Sequence, residues 1–299
     1  MTVRRDRQRA RRLLRLPVLG VAAAALVLTG AGTGIASAHT PATATAPTAG
    51  RYGVYPMGIR STPPSTLAAN DLVFHGGEVA IHPHIYLVFW GTQWQSDTTG
   101  AHDYIKHFYE GLGQTGDNWS RVTSQYHGSN GSPAFSGTVL TVSWTDLSGP
   151  APANATSGQI AAEAQKAFKL FNGTAGPSSD VIVVSPHGTH PDGFPNGGFC
   201  AWHSETNHIP YTNMPYVSDA GSSCAANSVS GPLDGFSVVS GHEYLEAVTD
   251  PYPDSGWVDS TGAENADKCV GINLHSIKLP TGSFAVQPTW SNQTHACAG

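Results

Sequence analysis

The chain has 299 residues, of which 39% are hydrophobic and only 12% charged, with a formal net charge of −6. Seven of its basic residues are arginines within the first 15 positions, so the remainder is more acidic than the total suggests. Nucleic acid and anionic lipid demand a basic face, which excludes both as partners.

The first 38 residues read as a secretory signal. Arg4, Arg5, Arg7, Arg9, Arg11, Arg12 and Arg15 form a basic start, Leu16 to Leu28 an apolar core, and Ala36-Ser37-Ala38 a cleavage site before His39. The apolar run is short and broken by Gly and Thr, against the ~20 apolar residues that a membrane span needs. Arg11-Arg12 leaves both the general and the twin-arginine export routes open. Removing the signal takes away seven Arg and one Asp, leaving a net charge of −12. No later segment is apolar enough to cross a membrane. The expected product is a secreted, extracellular monomer.

Residues 39–70 are rich in Ala, Thr and Pro and cannot bury enough apolar surface to order themselves, so an unstructured leader is expected there. A single domain is expected over 71–299. Ile85-Tyr86-Leu87-Val88-Phe89-Trp90 is an unbroken apolar run, as in a buried central strand. Tyr104, Ile105, Phe108, Tyr109 and Leu112 recur at helical spacing. Asp117 to Tyr126 is read as a short second helix, and Val139 to Trp144 as a strand. Thr156 or Ser157 caps a helix whose apolar face is Ile160, Ala164, Ala167, Phe168 and Phe171. Asp180 to Ser185 is a buried strand. Phe199 to His203 and Ile209 to Val217 look extended, and short strands are expected at Trp257–Asp259 and Phe284–Gln287. Strands and helices intermix throughout. The fold class is therefore α+β, a zincin-like mixed sheet with packed helices and a disulfide-stapled C-terminal loop region.

Cys200, Cys224, Cys269 and Cys297 all lie in the last third. An even number in an exported chain suggests two disulfides. Three pairings are possible, and sequence order favours Cys200–Cys224 with Cys269–Cys297. No C-x-x-C pair supports a thiolate zinc site.

The chemistry concentrates in Gly241-His242-Glu243-Tyr244-Leu245-Glu246-Ala247-Val248-Thr249-Asp250-Pro251, an H-E-x-x-E pattern on a helix expected near 233–249. Residues four apart share a helix face, so His242 and Glu246 point at a common atom. Imidazole nitrogen and carboxylate oxygen both suit zinc. Glu243, rotated to the side, is placed to act as general base on a water. Glu is scarce, and three of the seven in the chain fall between 243 and 264. The expected third ligand is Glu264. Asp267 is a supporting or alternative ligand, and Asp250 is its rival. His187, His190 and His203 are candidate cleft residues. No G-x-S-x-G turn supports a serine nucleophile.

Four blocks carry a likeness. They are Phe74-His75-Gly76-Gly77 with Ile85-Tyr86-Leu87 and Trp90-Gly91; Phe199-Cys200-Ala201-Trp202-His203; Gly241 to Pro251; and Glu264-x-x-Asp267-x-Cys269 with Phe284-x-Val286-Gln287-x-x-Trp290 through Cys297. In order and content they resemble the phosphate-induced (exordium-like) family of exported proteins, over about residues 72 to 298. Family members often carry more cysteines around the second block, and Tyr244 stands where Leu is more usual. The resemblance implies export, a link to cell walls and growth control, and one site formed by His242, Glu243, Glu246, Glu264 and Asp267. It supplies no reaction.

Two functional readings stand at this stage. One is a secreted zinc-dependent hydrolase, a metallopeptidase in which His242, Glu246 and Glu264 hold Zn²⁺ and Glu243 activates water. An edge strand within Ile209 to Val217 would align an extracellular peptide or protein substrate. The other is a non-catalytic extracellular or cell-wall-associated binding protein, its acidic cluster structural or holding Ca²⁺.

Overall fold

The computed structural model of the chain describes residues 52–58 and 71–299. The expected signal, 1–38, and residues 39–51 and 59–70 of the expected leader lie outside the described residues. Along the chain run β1 (Tyr52–Pro56), β2 (Val73–Phe74), β3 (His84–Trp90), α1 (Ala101–Gly111), β4 (Leu140–Asp146), α2 (Ser157–Leu170), β5 (Ser179–Val184), β6 (Phe199–Thr206), β7 (Ile209–Met214), α3 (Asp234–Thr249), β8 (Trp257–Val258), β9 (His275–Leu279), β10 (Gly282–Val286), β11 (Thr289–Ser291) and β12 (Ala296–Ala298).

Six strands form one mixed sheet in the order β1-β6-β7-β5-β3-β4. β3, β4, β5 and β7 run parallel; β6 pairs antiparallel to β7, and β1, antiparallel to β6, closes that side. Both faces are covered, which is why β3 and β5 read as unbroken apolar runs. Tyr86 of β3 meets Phe168 of α2 at 5.3 Å, and Phe89 meets His102 of α1 at 3.9 Å. Residues three apart on a strand point to opposite faces, so α2 and α1 lie on opposite sides. α3 packs against α1, β6 and β1. The expected α+β mixture is what the chain forms.

Local chemistry sets the element ends. Thr156 caps α2 in a capping box: its hydroxyl accepts from Gln159 N (3.3 Å), and Gln159 Oε1 accepts from Thr156 N (2.9 Å). The helix expected over 117–126 is a 3₁₀ turn, Ser120–Gln125. Its start is fixed by Asp117, whose carboxylate accepts from Gly113 N and Ser120 N.

Two expectations need correcting. The strand beginning at Ile209 is not an edge; β7 lies between β6 and β5, its ladder occupied on both sides. The edge beyond β6 is filled by Tyr52–Pro56, from the segment expected to be unstructured. That short stretch carries Tyr and Val amid its Ala/Thr/Pro-rich surroundings, and pairing with β6 supplies the order its own composition does not.

β5 carries two buried polar residues, Ser179 and Asp180. Asp180 is 6% exposed, and burial pushes its carboxyl up to about 7, opposed by the nearby His203. An unfolded Asp titrates near ~4, so between pH ~4 and ~7 the unfolded chain loses a proton that the folded chain keeps. Stability should therefore fall as pH rises through that window. Asp180→Asn should flatten the slope, by up to about 4 kcal/mol at neutral pH. Urea unfolding at several pH values checks this; an unchanged slope in the variant rules it out.

Candidate metal centre

α3 is buried along its whole length, which marks a helix running through the core rather than over it. Asp234 in its first turn accepts from the backbone of Val229, Ser230 and Gly231 and so folds the entering loop. Gly241 lets the helix approach its neighbours; a Cβ there would meet Trp119 at 2.8 Å and Phe108 at 3.2 Å. Asp250 ends the helix. Its carboxylate accepts from Asp254 N, Ser255 N and Gly256 N, which turns the chain back.

The acidic segment before Cys269 folds over this helix. Asn265 clamps it: Nδ2 donates to Leu245 O (2.8 Å) and Thr249 Oγ1 (2.5 Å), and Oδ1 accepts from Thr289 Oγ1 (2.6 Å). Asp267 N donates to Glu246 Oε1 (3.0 Å). The Cys269–Cys297 disulfide ties the segment to the C-terminus, and Cys200–Cys224 ties β6 to the 3₁₀ turn Val217–Cys224. These are the pairings that sequence order favoured.

Two donor sets result. His203, Glu246 and Glu264 form one, and His242, Glu246 and Asp267 the other; within each, the ligand atoms lie within 4.8 Å of one another. In the first, His203 Nε2 is 3.0 Å from Glu264 Oε2 and 3.7 Å from Glu246 Oε2. In the second, His242 Nε2 is 2.9 Å from Glu246 Oε1 and 3.6 Å from Asp267 Oδ1. Glu246 belongs to both, turning one oxygen to each. Donors on a tetrahedral ion at ~2.1 Å sit about 3.4 Å apart, which these spacings bracket.

Other observations fit a cation. His242 Nε2 and Glu246 Oε1 are close but not aligned as a hydrogen bond, so both aim at shared space. Glu246 Oε2 and Glu264 Oε1 are buried with no hydrogen-bond partner. Burial pushes the carboxyls of Glu246, Glu264 and Asp267 up; for Glu264 the charge of Glu246 adds, and for Glu246 that of Asp267 adds. Burial lowers His242 to about 4, keeping it neutral and able to donate a lone pair. Uncompensated buried carboxylates are costly, and positive charge in their midst removes the cost.

Glu243 belongs to neither set. Its Oε1 accepts from Tyr55 N (3.2 Å), while Oε2 is buried without a partner. Burial raises its carboxyl well above the usual range, and Glu246 adds to this.

The expected ligands His242, Glu246 and Glu264 thus meet at Glu246, with Glu264 in the set of His203 and Asp267 in that of His242. Asp250 is in neither set, being engaged by its loop. His203, expected as a cleft residue, is a donor candidate; the signal for it is its place one residue past Trp202 in the Cys-aromatic-His block. His187 lies elsewhere. It pairs with Asp219 (2.5 Å) beside a surface cavity of about 630 Å³ lined by Trp94, Asp97, Thr99 and Tyr216. His190 precedes the 3₁₀ turn Pro191–Gly193, its backbone N bonded to Ala153 O. No helix among the described residues is long and apolar enough to cross a membrane. Comparison of the chain with protein-family models, with curated proteins and with solved structures finds no match, so the exordium-like resemblance rests on its motif blocks.

Proposed function

We propose that this chain is an exported metal-dependent hydrolase that cleaves peptide bonds, with a pair of zinc ions sharing Glu246. His203 and Glu264 would hold one, His242 and Asp267 the other. A nitrogen donor in each set suits zinc and argues against calcium, which takes oxygens only. Charge balance supports a pair: Glu243, Glu246, Glu264 and Asp267 together carry four negative charges when ionised, and two divalent ions offset them. Such ions supply Lewis acidity that lowers the pKa of a water and polarises a carbonyl.

The observation that carries the catalytic reading is Glu243. A purely structural centre has no use for a further buried carboxylate whose Oε2 lacks any partner. A general base needs such an oxygen. Oε2 would take the proton of the attacking water and pass it to the leaving amine, while a backbone amide held at Oε1, Tyr55 N in the substrate-free chain, would fix the orientation. Neutral His242, its pKa lowered by burial, keeps a lone pair free to donate. The two disulfides support export.

Burial of the donors also suits a closed structural site in a binding protein, and one test separates the two readings. Incubation with a peptide library should give cleavage that a chelator abolishes and added zinc restores. Metal-loaded, folded protein that cleaves nothing would favour the binding protein.

A further inference from the structure

Every group of the centre except Asp267 is essentially sealed from solvent. His242, Glu243 and Glu246 are 0% exposed, His203 0% and Glu264 3%. β1 contributes to that seal. It packs against α3 and against the Asp267–Cys269 turn. Its main chain runs antiparallel to β6, the strand that carries His203. Tyr55 N donates to Glu243, and the Tyr55 ring stands edge-on to His242, 4.9 Å between centroids.

We propose that β1 sits where an extended peptide substrate binds, so that the folded chain shields its own centre and substrate enters by replacing β1 on β6. This rests on the hydrolase reading above and names its substrate class and its control. Without β1, the outer N–H and C=O groups of β6 form an open edge, the kind of surface on which peptides add as a strand. The replacing strand would bring a backbone amide to Glu243 and an aromatic side chain to His242, as β1 does now.

The attachment is local. Val54, Pro56 and Met57 remain partly exposed, whereas Tyr55 is 0% exposed. Beyond the strand, Met57 N bonds Gly198 O (3.0 Å) and Gly58 N bonds Ser223 O (2.9 Å). One ring is therefore the plug. Its slot is imperfect for tyrosine, because the Tyr55 hydroxyl is buried with no partner. An unsatisfied buried hydroxyl weakens burial, so phenylalanine should fit better.

The test uses the full chain loaded with zinc and a labelled peptide of residues 51–58, Arg-Tyr-Gly-Val-Tyr-Pro-Met-Gly. Tyr55→Ala should bind this peptide, speed zinc loss to a chelator, and raise library cleavage about tenfold or more. A peptide with Ala at the Tyr55 position should bind at least about tenfold more weakly, and one with Phe more tightly. Tyr55→Phe, which keeps the ring, should slow zinc loss and gives the opposite sign should Tyr55→Ala fail to fold. Peptide binding with faster zinc loss but no cleavage would support the groove while overturning the hydrolase reading. Unchanged zinc loss in both variants, or no peptide binding to Tyr55→Ala, overturns the proposal itself.

Discussion

Glu243→Gln should lower peptide cleavage by about 10²- to 10⁴-fold, the span general bases contribute, with both ions retained. The amide preserves an acceptor for Tyr55 N and changes no donor of either set. What it removes is the ability of Oε2 to hold a proton. The same change should move stability in the opposite direction. Burial and Glu246 raise the Glu243 carboxyl, so folding favours its protonated form. In ion-free protein, stability is then lost as pH rises above the unfolded value near ~4. Glutamine lacks that loss. Ion-free Glu243→Gln should melt higher than ion-free wild type at neutral pH, by about 2–4 °C for each kcal/mol recovered. Cleavage assays on the zinc-loaded proteins and thermal melts on the chelated ones check both halves. Cleavage at the wild-type rate rejects Glu243 as the base.

Glu246→Ala should cost more than any other single change at the centre. Glu246 turns Oε1 toward His242 and Oε2 toward His203, so its removal should abolish binding of both ions. His203→Ala should lose one ion and His242→Ala the other. Ions present at ~1,000 times their dissociation constants stabilise by about 4 kcal/mol each. Glu246→Ala should then melt some ~15–30 °C below zinc-loaded wild type, at ~2–4 °C per kcal/mol. Metal content and melting curves of the three variants read this directly. Equal metal loss in all three would mean a single shared ion instead.

Much of this centre is legible in the sequence, because a helix imposes its geometry on neighbours in the chain. His242, Glu243 and Glu246 need only 3.6 residues per turn to be placed, and α3 spans Asp234–Thr249 where 233–249 was expected. The Glu264–Asp267 segment was legible through its acids beside Cys269. How the donors divide was not. That depends on the 3₁₀ turn at Asp267–Cys269, on the Asn265 clamp, and on β6 bringing His203 in from the sheet. These are contacts between distant parts of the chain, which no local period encodes.

β1 shows the same limit from the other side. Composition marks its surroundings as unable to fold alone, which is a statement about isolated segments. Tyr52–Pro56 gains order from β6, and Tyr55 from a slot lined by His242. The parallel pairing of β3, β4, β5 and β7 was likewise unreadable. Apolar runs reveal burial on both faces but not strand order.

The most direct measurement is the metal content of the purified, folded wild-type chain, after removal of loosely bound ions. Two zinc equivalents per chain are expected, one for each donor set that meets at Glu246. Folded protein that takes up no divalent ion from zinc-containing buffer would contradict the metal centre, and with it the hydrolase.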